Sequence, residues 1–94
     1  MTRHLLGIDV GTYSSKAALT DLAGRVVHSA VVEHGISMPR PGHVEQDADA
    51  VWWADVCRLS RAVLDDGGVP ACDIAALAVS AIGPCLLPLD AAMR

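Results

Sequence analysis

The run Ile74-Ala75-Ala76-Leu77-Ala78-Val79 constrains the fold of this 94-residue chain more than any other stretch. An uninterrupted apolar segment of that length predicts a strand over Asp73 to Ser80 with both faces buried. It follows a helical pattern. Trp52, Val56, Leu59 and Val63 recur at spacings of four, three and four, which is one face of a helix. A strand reached through a helical crossover lies parallel to a neighbour in its sheet, and such a sheet needs cover on both faces. One helix covers one face only. The chain is 52% apolar, but 15 of its residues are Ala, and it has no Phe, one Tyr and two Trp. A core this light predicts that much of the packing partner lies outside the 94 residues.

The rest of the chain supplies the elements of such a sheet. Leu5 to Val10 predicts a buried strand, Gly11-Thr12 a turn, and Ser14 to Thr20 a second strand. Asp21-Leu22-Ala23-Gly24 is a tight reversal into a Val-rich third strand, Arg25 to Glu33. Connections this short predict an antiparallel meander. Gly35 to Glu45 holds Pro39, Pro41 and Gly42 and is expected to be a loop. Asp47 is placed to cap the helix, with Glu45 and Asp49 near its positive end, and Gly67-Gly68 with Pro70 to end it. Gly83-Pro84 predicts a turn and Cys85 to Leu89 a further strand. The fold class is α/β, in the order β-β-β-α-β.

Charge and composition exclude several functions. The net charge is −4 and Lys16 is the only lysine, so no nucleic-acid partner is expected. Asp9 interrupts the N-terminal apolar stretch too soon for a signal peptide, and no window is long enough to span a membrane, so a cytoplasmic protein without a membrane partner is expected. Cys57, Cys72 and Cys85 have no CxxC spacing and read as small buried hydrophobes. His4, His28, His34 and His43 lack metal-ligand spacing, and His28 and His34 are expected on strand or loop surfaces.

The strongest chemical feature is Asp9-Val10-Gly11-Thr12-Tyr13-Ser14-Ser15-Lys16. A carboxylate ends a buried strand, a glycine turn follows, and hydroxyls and a lysine come next. Gly11 lets backbone approach an anion, and the turn N–H groups with Thr12 and Ser14 suit phosphate oxygens. Asp9 suits Mg²⁺, which favours carboxylate and water oxygens. Lys16 adds positive charge. The spacing is neither GxxxxGK[ST] nor GxGxxG. A hairpin whose Asp9 and Thr12 merely satisfy the turn is the alternative for the tetrapeptide alone. Downstream, Glu45-Gln46-Asp47 offers paired acids but reads better as a helix start. Trp52 reads as core rather than as a sugar platform.

Gly7-Ile8-Asp9-Val10-Gly11-Thr12-x-Ser14-x-Lys16 resembles the first phosphate motif of the FGGY carbohydrate kinases, within the actin/Hsp70/sugar-kinase ATPase superfamily. Asp21 to Val27 resembles the family's second hairpin. Pro41-Gly42-His43-Val44-Glu45-Gln46-Asp47 with Trp52-Trp53 resembles its PGWxEQDPxxWW segment, and Ile74 to Ser80 resembles the strand leading to the sugar. The chain departs from the pattern at His43 and Ala48. The resemblance implies a ribonuclease H-like (actin-like ATPase) fold, with residues 1–94 as a truncated N-terminal portion of the first kinase domain and the second domain absent.

It further implies ATP-dependent phosphorylation of a sugar or polyol hydroxyl. Gly11, Thr12, Ser14 and Lys16 would line the phosphates, and Asp9 would organise Mg²⁺. The general base and the adenosine site would lie in the remainder of the kinase, which would also be the packing partner, so the chain is expected to be inactive alone. Residues after the fourth strand reach the substrate in the family, making Ile82, Gly83, Pro84 and Cys85 the substrate-loop candidates. Xylulose kinases carry Gln-Met-His-Gly there. Ile82 and Pro84 offer no side-chain hydrogen bond, so a typical D-xylulose kinase is not expected. Another actin-like ATPase and a non-catalytic interaction module remain the alternatives.

Overall fold

A computed structural model describes residues 2–94. The strands are β1 (His4–Val10), β2 (Ser14–Asp21), β3 (Val26–Glu33), β4 (Ser37–Arg40), β5 (His43–Glu45) and β6 (Ile74–Ala81), and the helix α1 spans Ala54–Gly67. The main sheet runs β3-β2-β1-β6. Its first three strands form the expected antiparallel meander, and β6 lies parallel to β1.

Strand alternation decides which residues meet α1. Leu6, Ile8 and Val10 of β1 and Ala17 and Leu19 of β2 are buried against Leu59 and Val63, with Val69 closing one end. Gly7, Asp9 and Lys16 take the other parity and lie on the uncovered face. The turn after β2 closes through Asp21, whose Oδ1 accepts the N–H groups of Ala23 and Arg25, each at 2.9 Å. Gly24 sits there at φ 85°, a backbone region that favours glycine.

The helix starts where Asp47 predicts. Its Oδ1 accepts from Asp49 N at 2.9 Å and Ala50 N at 2.7 Å, and a π-helical turn over Ala48–Trp53 leads into α1. The helix ends on Gly68 at φ 66°, with Val69 N donating to Leu64 O at 3.0 Å.

Three expectations are corrected. Gly35 to Glu45 is not all loop, because β4 and β5 pair as a small ribbon around Gly42. The segment from Cys85 to Leu89 forms no strand. β6 is not buried on both faces: it is the edge of the sheet, α1 packs over β2 and β3, and Leu77 and Val79 stay 53% and 51% exposed.

Candidate phosphate site

The site begins at the turn between β1 and β2. Gly11 N–H donates to Ser14 O at 2.9 Å, so the chain reverses within the expected loop. A Cβ on Gly11 would stand 2.8 Å from Ser14 O, closer than real Cβ contacts allow. Close approach of backbone, rather than φ, is what requires glycine here. Asp9 and Lys16 are cross-strand partners on the uncovered face. Ser80, opposite Asp9 on β6, donates its Oγ hydrogen to Asp9 Oδ1 at 2.8 Å. The parallel pairing of β6 thus fixes one oxygen of the expected metal ligand and leaves Oδ2 free of that bond.

The floor of the loop is built from residues to which the sequence assigned no role there. Ser15 is fully buried and donates through Oγ to Asp55 Oδ2 at 2.7 Å. The same Asp55 oxygen lies 2.7 Å from His34 Nδ1. On the far side of the ring, His34 Nε2 reaches Gly11 O at 2.9 Å and Thr12 O at 3.0 Å. Gln46 Nε2 also donates to Thr12 O at 2.7 Å and to Gly35 O at 3.0 Å, while Trp52 Nε1 donates to Gln46 Oε1 at 2.7 Å. Tyr13 O accepts the N–H groups of His34 and Gly35 at 2.9 and 3.1 Å.

His34 is therefore not a surface residue. Its side chain is only 5% exposed and its partner carboxylate 2%. A signal for this existed. Asp55, Leu59 and Val63 follow at spacings of four, which puts a carboxylate on the apolar face of α1. Ser15 shares the inward parity of Ala17 and Leu19, and His34 that of Ala30 and Val32. Gln46 belonged to the acidic cluster read as a helix start, and its role lies in the loop instead. Trp52 joins the core as expected, and Trp53 is 64% exposed.

A cleft of about 660 Å³ opens beside the loop. Thr12, Gln46, Trp52, Ile82, Pro84 and Cys85 are among its lining residues, so three of the four substrate-loop candidates come next to the turn between β1 and β2. Ile82 N–H donates to Val10 O at 2.9 Å, which extends the β1–β6 pairing by one residue and aims the following loop at the cleft. Cys57, Cys72 and Cys85 are all exposed free thiols, not buried hydrophobes. Cys57 falls on the outer side of α1, Cys72 lies in the short turn before β6, and Cys85 in the loop after β6.

Among the described residues no group of three or more His, Cys, Asp and Glu side chains is arranged to hold a metal ion. A lone carboxylate at a strand end fits Mg²⁺, which is commonly held by one or two carboxylates together with water and phosphate oxygens. No described helix is long and apolar enough to cross a membrane.

A mixed sheet with a glycine hairpin at its centre, an aspartate at the end of β1 and a helical crossover to a parallel β6 define the start of an actin-like ATPase domain of the sugar-kinase type. The comparisons narrow this. Residues 4–94 match the model of the FGGY family of carbohydrate kinases, N-terminal domain. Glycerol kinase of Methylobacterium radiotolerans is 38% identical over 80 residues, and that of Bacillus subtilis 35% over 80. In both cases 85% of this chain and 16% of the relative are covered. Among solved structures, a xyloylose kinase from Brucella ovis superposes with a TM-score of 0.89 at 32% identity. A xylulose kinase from Rhodospirillum rubrum gives 0.86 at 26%. Each covers 98% of this chain and 19% of the larger one. The chain belongs to the FGGY family of carbohydrate kinases, and it spans about a sixth of the length of the curated relatives it matches.

Proposed function

We propose that residues 1–94 are the opening part of the first domain of a cytoplasmic, ATP-dependent kinase that transfers the γ-phosphoryl group to a hydroxyl of a sugar or polyol. The observation that carries this is the hairpin from Asp9 to Lys16. The peptide units joining Gly11 to Thr12 and Thr12 to Tyr13 are trans, so each C=O points opposite to the N–H of the same unit. Both carbonyls are held by His34 and Gln46 beneath the loop. The N–H groups of Thr12 and Tyr13 therefore point away from the floor, and they take no backbone partner among the described residues. Two free N–H groups, the hydroxyls of Thr12 and Ser14 and the ammonium of Lys16 form a cradle suited to phosphate oxygens.

Asp9, oriented by Ser80, would hold Mg²⁺, whose chemistry is to neutralise charge on the transferring phosphoryl group. In phosphoryl transfer the protein mainly positions groups and stabilises charge, which is what these residues are equipped to do.

Ile82, Gly83, Pro84 and Cys85 would form one wall of the acceptor site. That wall has no side-chain amide or imidazole, which supports a small polyol over D-xylulose as acceptor, in keeping with the glycerol kinases among the relatives. The test is ADP release by the complete gene product over a panel of glycerol, longer polyols, pentuloses and hexuloses. Acceptor-dependent release with a polyol preferred is expected. No release with any acceptor would refute the kinase assignment, and kcat/KM for D-xylulose far above all others would refute the reading of the wall.

A further inference from the structure

We infer that the buried Ser15–Asp55–His34 chain, together with Gln46, is the positioning apparatus of the phosphate loop, setting the direction of the Thr12 and Tyr13 N–H groups from below. The inference rests on the proposed phosphate role of that loop and adds the residues that hold it.

Serine, histidine and aspartate in contact suggest a nucleophilic triad, but the geometry excludes one. Ser15 is fully buried and donates to Asp55 at 2.7 Å, and it stands 3.4 Å from His34 Nδ1. A nucleophile needs its base at Oγ and access to substrate. Here Nε2, the other ring nitrogen, faces only the carbonyl oxygens of Gly11 and Thr12. A carbonyl only accepts, so Nε2 carries hydrogen and donates. At Nδ1 a single proton closes the 2.7 Å contact with Asp55 Oδ2, whichever atom holds it.

The direction of force then follows link by link. Asp55 is anchored on α1 between the buried faces of helix and sheet. Ser15 and His34, on β2 and just after β3, lock onto it from two strands. His34 reaches through to both loop carbonyls, and Gln46, itself held by Trp52, takes a second bond to the Thr12 carbonyl. Thr12 O thus has two donors, His34 Nε2 at 3.0 Å and Gln46 Nε2 at 2.7 Å. Two donors on one carbonyl fill both its lone pairs and fix the peptide plane. The helix core and the phosphate loop become one rigid unit, as positioning of a reacting group requires.

Two replacements of His34 separate this role from simple support of the fold. The Gln amide reaches the place of Nε2 and keeps a donor for the loop carbonyls, but gives up the Asp55 contact. The Asn amide sits at the place of Nδ1, keeps the Asp55 contact, and leaves the carbonyls without that donor. In the complete gene product, His34→Asn is expected to lower kcat/KM for ATP by about 10- to 100-fold, since a misplacement near 1 Å costs on that order. KM for the acceptor should stay within about twofold, and His34→Gln should recover most of the ATP term. A purely structural role predicts the opposite order, because His34→Gln strands the buried carboxylate. Equal kinetics for the two variants, or better kinetics for His34→Asn, would overturn the inference.

If the wild-type product shows no acceptor-dependent transfer, the kinase proposal fails by itself. The amide ¹H–¹⁵N resonances of Thr12 and Tyr13 in the same three proteins then decide the grip. They should move in His34→Asn and return toward wild type in His34→Gln. Unmoved resonances in His34→Asn would overturn it.

Discussion

Two histidine–aspartate pairs in this fold have the same chemistry and opposite surroundings, which makes Asp55 a sharp probe of how the molecule is held together. His34 and Asp55 meet at 2.7 Å with side chains 5% and 2% exposed. His28 and Asp66 meet at 3.6 Å with side chains 36% and 67% exposed. Asp55→Ala removes the only carboxylate that Ser15 and His34 Nδ1 share, leaving a buried hydroxyl and a ring nitrogen without that partner. Breaking a buried pair by removing one member costs about 3–5 kcal/mol. Asp66→Ala, at a solvated site, should cost under about 1 kcal/mol. A chain of 94 residues is worth about 5–14 kcal/mol at ordinary stability per residue, so the first substitution consumes about a fifth of it or more. Urea titration at sub-micromolar protein, followed by tryptophan fluorescence, reads both. With a slope of about 1.5 kcal/mol/M, the Asp55→Ala midpoint should fall by roughly 2–3 M. Asp55→Asn retains an acceptor for Ser15 and should fall between the two. Midpoint shifts of equal size for Asp55→Ala and Asp66→Ala would refute the reasoning that burial, rather than pairing, sets the cost.

Gly11→Ala should destabilise the chain by about 1–3 kcal/mol, because its Cβ meets the Ser14 carbonyl at 2.8 Å and the loop must shift to admit it; an unchanged urea midpoint would show that the turn has slack. Leu77 and Val79 leave an apolar edge on β6, so the isolated chain should associate as concentration rises. Sedimentation should show that association, and Leu77→Lys with Val79→Lys should reduce it; a monomer at all concentrations would show that the edge is protected.

Much of the frame was legible because it rests on local patterns. The alternation in β1 and β2 sorts Leu6, Ile8, Ala17 and Leu19 from Gly7, Asp9 and Lys16, and the spacing of Leu59 and Val63 gives the face of α1. Asp47, Gly24 and Gly68 mark their turns through chemistry confined to a few residues. The Ser37–Arg40 and His43–Glu45 ribbon escaped because its residues are exposed on every side and Pro39 and Pro41 argue against strand. The stretch from Cys85 to Leu89 looked like a strand from composition, yet a strand needs a neighbour, and no described element pairs with it.

The site was half legible for the same reason. Asp9, Gly11, Thr12, Ser14 and Lys16, the residues proposed for the phosphates and Mg²⁺, fall in one octapeptide and could be singled out from it. Ser15 and Asp55 lie on β2 and α1, His34 and Gln46 in the loops after β3 and β5, and only the packed fold brings them under the turn. Their sequence signal is a polar residue at an inward position, which in isolation reads as a surface residue out of phase. Ser80 is similar: its bond to Asp9 spans 71 positions and depends on the parallel register of β6.

The central claim is that the hairpin from Asp9 to Lys16 handles the phosphates of a transferring nucleotide. ³¹P NMR of the complete gene product with ATP, Mg²⁺ and glycerol tests it most directly, run for wild type, Asp9→Asn and Lys16→Ala. The account predicts transfer of the γ-phosphoryl group to the polyol in wild type. It predicts loss of about 10²-fold or more in rate for Asp9→Asn, with the fold retained, and a smaller loss for Lys16→Ala, whose solvated charge other donors replace. Wild-type rate in Asp9→Asn at limiting Mg²⁺ would contradict it.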